Sequence, residues 1–286
     1  MAVFHRLVRF MDPTGQIFFG ELRDKVPASQ QELLGLEIEV FQLGLLPWQE
    51  GFKLSGARAK IEKILSPLPS VPQFLCIGLN YRQHAEEANF PIPEFPMVFS
   101  KPPDTLAGPY DEIEIPLEAK CMDYETSQAE CCVIIGKDLK SSSPSESLAP
   151  FILGYSVGND VSARYWQDPG RSGGQHGFAK SFDKFAPFGP TIVSPETLGD
   201  ITKLKMTTMV NGELRQESRL DDLIFSVDQL LRHLSMGRTV KAGTVVMTGT
   251  PSGVAAFMKP APQWLVKGDV VEIMLEGVGT IKNTFV

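Results

Sequence analysis

Apolar positions along this chain cluster in short runs bounded by glycine and proline, and few of them follow a helical period. Phe74 to Gly78 and Cys131 to Ile135 are the clearest runs, and each predicts a buried β-strand. Met97 to Ser100, Ile113 to Pro116, residues 148–154 and 185–194, and Thr244 to Met247 repeat the pattern of strand and glycine or proline turn. Residues 3–22 predict two strands around Asp12-Pro13-Thr14-Gly15, although the alternation of Phe4, Leu7, Val8 and Phe10 is imperfect. Leu204 to Val210 and Glu213 to Glu217 flank Asn211-Gly212, the clearest hairpin signal in the chain. Val270 to Leu275 and Gly279 to Phe285 form a last pair.

Helical period is confined to two segments. Arg82 to Ala88 has good helix formers, and Ser226 to Met236 repeats Val227, Leu230, Leu231 and Leu234 behind a Ser226/Gln229 capping box. Ala57 to Leu65 fits either a short helix or a strand, and the stretch before it has no clean period. Ser66-Pro67-Leu68-Pro69-Ser70 can continue neither element, because proline fixes φ and removes a donor. These features predict a β-rich α+β fold with a small N-terminal β domain, residues 1–70, and a main domain, residues 71–286.

Composition narrows the function classes. With 286 residues and 43% hydrophobic content the chain can bury a large core. A net charge of −7 speaks against a general nucleic-acid or membrane-surface binder, so an anionic small molecule would need a local cation. Cys76, Cys121, Cys131 and Cys132 lack zinc-finger spacing and predict reduced residues of a cytoplasmic protein, with a mitochondrial setting left open. The N-terminal stretch has no secretory apolar region, and no segment is long and apolar enough to span a bilayer.

Candidate chemistry gathers where acids meet the runs. Asp123, Glu125 and Glu130 stand at the head of the Cys131 strand, and Asp160 lies among Val157, Gly158 and Val161. Acids in such company want a cation, which makes them a candidate site for a hard metal such as Mg²⁺; the alternative is a set of solvated strand-edge acids. His84 and Glu87 lie three apart on one helix face, a spacing suited to a general base and its orienting carboxylate, or to a chance surface pair. Lys101 just past a strand could hold a substrate carboxylate or be solvated. Lys180 follows a loop with Gly170, Gly173, Gly174 and Gly177, and its apolar neighbours could aim its charge at an anion. Thr248 to Gly253 is a small polar loop suited either to carboxylate binding or to a plain turn. His176 reads as structural or solvent-facing.

Together these motifs resemble the fumarylacetoacetate hydrolase superfamily over nearly all of residues 71–286. The match runs in order through IGLNYRQHAEE from Ile77, FSKPP from Phe99, GPYDEIEIP from Gly108, MDYE leading to VIIGK, GYSVGNDVSARYWQ from Gly154, AKSFDKFAPFGP from Ala179, VNGELRQ from Val210, IFSVDQLL from Ile224 and TGTPSGV from Thr248. The resemblance implies a mixed β-sandwich roll, a homodimer, and Mg²⁺ or Mn²⁺ on three carboxylates. It implies 2-oxo acid or β-dicarbonyl substrates and a metal-stabilised enolate. By position it implies Asp160 as a metal ligand, Lys180 as a contact to substrate or metal-bound oxygen, and His84 with Glu87 as a water-activating pair. Thr250, Gln216 and Tyr81 become candidate substrate contacts.

One departure stands out. The family's acids lie at i and i+2, on one face of a strand, whereas Glu125 and Glu130 are five apart. Either Thr126-Ser127-Gln128 bulges so that Glu125 and Glu130 both reach the metal, or the strand runs straight and Gln128 joins Glu130, the arrangement that needs no distortion. A neutral amide would weaken the hold on Mg²⁺. Tyr165 also departs, standing where members often carry aspartate. Three readings follow: a metal-dependent C–C hydrolase or decarboxylase, favoured by His84 and Glu87; an oxaloacetate-type tautomerase, favoured by GPYDEIEIP and FSKPP; and a non-catalytic relative with an impaired metal site.

Overall fold

The computed structural model describes residues 3–123, 130–140, 145–253, 255, 258 and 260–286. Its spine is a large mixed sheet in which ten strands follow the order Leu54–Lys60, Glu37–Phe41, Ile17–Glu21, Arg6–Met11, Ala186–Val193, Ile152–Gly158, Glu130–Ile135, Val245–Met247, Phe74–Gly78, Met97–Lys101. Neighbours in this order pair antiparallel except Val245–Met247 with Phe74–Gly78, which run parallel. A second, four-stranded sheet holds Glu213–Arg219, Lys205–Val210, Val270–Leu275 and Gly279–Thr284. The expected β-rich α+β roll is the fold observed.

Local rules place these elements. The predicted hairpin closes at Asn211 and Gly212 with φ of 52° and 80°, the left-handed pair that matches strand twist. The first hairpin closes through Asp12, whose Oδ1 accepts from the backbone of Thr14 and Gln16 at 2.9 Å. Helix Val227–Ser235 begins at the predicted capping box and buries Val227, Leu230, Leu231 and Leu234. Of the two possibilities for Ala57 to Leu65 the structure selects strands, Leu54–Lys60 and Lys63–Ile64. The unassigned stretch before it supplies Glu37–Phe41.

The main core fills the space between the sheets. Val133, Ile135 and Val157 of the large sheet meet Met206, Ile273 and Ile281 of the small one, with Leu230 and Leu234 of the helix in the same cluster. Alternation along Glu130–Ile135 sends Cys132 and Ile134 to the opposite face, among Phe74, Cys76, Phe188 and Met247. Residues 1–70 have apolar packing of their own around Val8, Phe10, Val40 and Ile61. Their sheet is nevertheless continuous with the main one, because Arg6 and Leu7 pair with Val193 and Ile192. All four cysteines are unpaired, and Cys76, Cys131 and Cys132 are buried.

Candidate active site

Asp160 is the centre of the site. It follows Ile152–Gly158 and is fully buried, with Lys101 Nζ 2.5 Å from Oδ1 and Lys180 Nζ 2.5 Å from Oδ2. Lys180 also donates to Ser162 Oγ at 2.9 Å, and its ammonium lies 4.4 Å from the centroid of the Phe99 ring. Glu130 heads the buried strand and is also inaccessible; its Oε2 accepts from the Gly249 amide at 2.8 Å. Burial first and Asp160 second raise the pKa of Glu130 well above the ordinary carboxylate value.

A third acid joins these through strand pairing. Asp123 lies opposite Ser162 in a short antiparallel bridge, is fully buried, and accepts from Arg164 Nε at 2.7 Å. Arg164 Nη1 donates in turn to Gln167 Oε1 at 3.0 Å. Arg164, Gln167, Lys180, His84 and Thr250 line one cavity of about 990 Å³. Other parts of its wall are apolar, including Phe90, Met97, Phe99 and Trp264.

The His84 and Glu87 pair sits on helix Arg82–Ala88, with Nδ1 3.2 Å from Glu87 Oε2. Both oxygens of Glu87 accept from the Gly253 amide, at 3.0 and 3.1 Å, which ties the helix to the 248–253 loop. Asn80, fully buried, donates to the Thr248 carbonyl at 2.7 Å and to the Phe225 carbonyl at 3.2 Å. Gly249 adopts φ of +104°, and a Cβ there would stand 2.7 Å from Asn80 Cβ. Glycine is therefore what lets this backbone pass Asn80 and present its amide to Glu130.

Several sequence expectations change at this point. Lys101 was expected either at a substrate carboxylate or in solvent, but its ammonium is fully buried and donates to Asp160, to the Val161 carbonyl at 3.0 Å and to the Phe185 carbonyl. Three acceptors satisfy its three donors, so it braces Asp160 instead. Burial lowers its pKa, and the charge of Asp160 offsets only part of that effect. Tyr81, expected at the substrate, is packed in the core, bridges to Leu223 through its backbone and is not on the cavity wall. Gln216 lies behind the loop, donating to the Pro251 carbonyl at 3.0 Å. Thr250 does reach the cavity, its hydroxyl buried without a partner among the described residues. His176, expected to be structural or solvent-facing, lines the cavity with its ring centroid 6.2 Å from that of Phe99. Arg164 and Gln167 are additions; both lie within the GYSVGNDVSARYWQ motif, and only the strand pairing shows what they touch.

The donors can be tested against a divalent metal. Glu130 Oε1 is buried and has no partner among the described residues, and Asp160 keeps unused lone pairs beside its lysines. Unpaired buried carboxylate oxygen suits a hard cation such as Mg²⁺ or Mn²⁺. Glu125, Gln128 and the whole Thr126-Ser127-Gln128 segment lie outside the described residues, and within those residues no group of three or more His, Cys, Asp or Glu is placed to hold an ion. Among the described residues Glu130 and Asp160 fit as two carboxylate donors to such an ion.

Two sheets form a roll, with a cavity lined by Arg164 and Lys180, which pair with the buried acids Asp123 and Asp160; the chain belongs to the fumarylacetoacetate hydrolase family. The family described as Fumarylacetoacetate (FAA) hydrolase C-terminal matches residues 73–286. Among its relatives, "Oxaloacetate tautomerase FAHD2B, mitochondrial" of Bos taurus is 39% identical over 222 residues, 78% of this chain and 69% of that protein. The Homo sapiens protein of the same name is 37% identical over 245 residues, 86% of this chain and 73% of that protein. The solved structure of 5-carboxymethyl-2-hydroxymuconate delta-isomerase from Mycobacterium smegmatis superposes with a TM-score of 0.79 at 31% identity, covering 98% of this chain and 99% of that one. The fumarylacetoacetate hydrolase of Exiguobacterium antarcticum gives 0.78 at 30% identity, with 98% and 99% covered.

Proposed function

We propose that this protein catalyses keto–enol tautomerisation of an oxaloacetate-type 2-oxo acid. The observation that carries the reading is His84, held by Glu87 at 3.2 Å, on the wall of the same cavity as Lys180 and Arg164. Relatives 37–39% identical that are named oxaloacetate tautomerase support it over the other reactions of the family.

Tautomerisation moves one proton between C3 and the 2-oxo oxygen and breaks no carbon–carbon bond. His84 takes the C3 proton, and Glu87, fixed by the Gly253 amide, holds the imidazolium that results. Lys180 and Arg164 stabilise the negative charge that develops on the 2-oxo oxygen, in a site whose apolar walls weaken screening. Thr250 donates its hydroxyl to the substrate carboxylate. His84 then returns its proton at oxygen. Glu130 and Asp160, with Glu125 or Gln128 as the third oxygen, would hold Mg²⁺ or Mn²⁺, which when bound would polarise the 2-oxo carbonyl.

The test follows the enol absorbance of oxaloacetate near neutral pH, with added Mg²⁺ and with chelator. Exchange no faster than in buffer would sink the tautomerase reading. Hydrolysis or decarboxylation of a 2-oxo acid or β-dicarbonyl is the second reading, because His84 and Glu87 could also activate water; release of pyruvate in the same assay would favour it. A homodimer belongs to the proposal, supported by exposed Ile92 and Phe95 just before Met97–Lys101, the edge strand of the large sheet among the described residues, and light scattering checks it. Among the described residues no helix is long and apolar enough to cross a membrane, and cytoplasmic or mitochondrial residence is decided by cell fractionation.

A further inference from the structure

The proton transfer proposed above gives a partner to only one of oxaloacetate's two carboxylates, and the cavity has room for both. At about 990 Å³ it stands at the upper end of small-molecule pockets, which run from about 300 to 1,000 Å³. Its wall includes Arg171, a residue that the proposed proton transfer leaves without a role.

Arg171 is held in place by local structure. It lies on the short helix Pro169–Ser172, where Asp168 caps the turn by accepting from the Gly170 amide at 3.0 Å. Its guanidinium lies 4.0 Å from the centroid of the Tyr165 ring, and the Lys120 ammonium lies 5.4 Å from the same ring. Stacking on an aromatic face orients an arginine without using its hydrogen-bond donors. The one polar contact of this side chain among the described residues is an ion pair from Nη1 to Asp168 Oδ1 at 3.4 Å. A guanidinium carries five N–H donors, so most of the fork is left for a ligand, and a planar fork matches a carboxylate. A carboxylate at position 165 would instead pair with Arg171 and Lys120 and cancel their charge.

We propose that Arg171, stacked on Tyr165, receives the second carboxylate of the substrate, so that the site selects dicarboxylic 2-oxo acids over monocarboxylic ones of equal length. This rests on the 2-oxo-acid reading above. Tyr165 is the positioning residue and Arg171 the specificity residue.

The experiment is calorimetric binding of a matched pair, 2-oxoadipate and 2-oxohexanoate, to the full chain with Mg²⁺ present. The parent should prefer the dicarboxylate by about tenfold, the value expected of one charge-assisted pair at a half-exposed arginine. Arg171→Met should abolish that preference and leave 2-oxohexanoate affinity unchanged. Tyr165→Asp should reduce the preference, whereas Tyr165→Phe, which keeps the ring, should restore it. Equal binding of both acids by the parent, or an undiminished preference in Arg171→Met, would overturn the proposal while leaving the 2-oxo-acid site intact. Binding of neither acid by the parent would overturn the 2-oxo-acid reading and this proposal with it.

Discussion

Replacing Lys101 by methionine separates a structural lysine from a substrate-binding one. Methionine keeps the length and apolar stem of the side chain and removes only its charge and donors. Asp160 then loses one of two lysine partners, and the buried carbonyls of Val161 and Phe185 lose a donor. Removing one partner of a buried ion pair costs about 3–5 kcal/mol, and each orphaned buried acceptor adds up to about 1–3 kcal/mol. Lys180 stays on Asp160 and softens the loss, so we take about 4 kcal/mol, a large part of the roughly 5–15 kcal/mol by which a folded domain is stable. At about 2 °C per kcal/mol for a chain of this size, the melting temperature should fall by about 8 °C. Thermal unfolding of parent and variant, followed by circular dichroism under identical buffer and Mg²⁺, is the assay. A substrate contact would instead raise KM and leave the melting point alone. A variant melting within about 2 °C of the parent would refute the bracing role.

His84→Ala should slow enol–keto exchange by about 10²- to 10⁴-fold at unchanged thermal stability, and full activity would remove the dyad from the mechanism. Gly249→Ala places a Cβ 2.7 Å from Asn80 Cβ and 3.1 Å from the Ile77 carbonyl at a positive φ, so denaturant titration should show a loss of at least about 2 kcal/mol; a neutral result would mean that the loop yields freely. Asp160→Ala should abolish the thermal stabilisation that Mg²⁺ gives the parent, and an undiminished Mg²⁺ effect would take Asp160 out of the ligand set. Deleting Thr126-Ser127-Gln128, which leaves DYEAECC, should tighten calorimetric Mg²⁺ binding if Gln128 is the third ligand and change it little if Glu125 already is.

Short-range physics was legible in the sequence. The Asn211-Gly212 turn, the Ser226 capping box with its apolar stripe, the buried strand behind Glu130 and the helical spacing of His84 and Glu87 each depend on residues within a few positions of one another. The ordered motifs carried the family, because each constrains a local backbone shape or a charge at a strand end.

Tertiary structure decided who meets whom. Gly253 reaches Glu87 across 166 residues and Gly249 reaches Glu130 across 119, separations that leave no trace in any local pattern. Lys101 followed a strand as a solvated or substrate-facing lysine would, and only the juxtaposition of Asp160, Val161 and Phe185 shows three acceptors around its ammonium. Tyr81 and Gln216 carried motif positions yet are not on the cavity wall, whereas Arg171 belonged to a glycine-rich loop and lines it. The reason is geometric: sequence fixes which groups need partners, and the packing of distant strands fixes which partner each one finds.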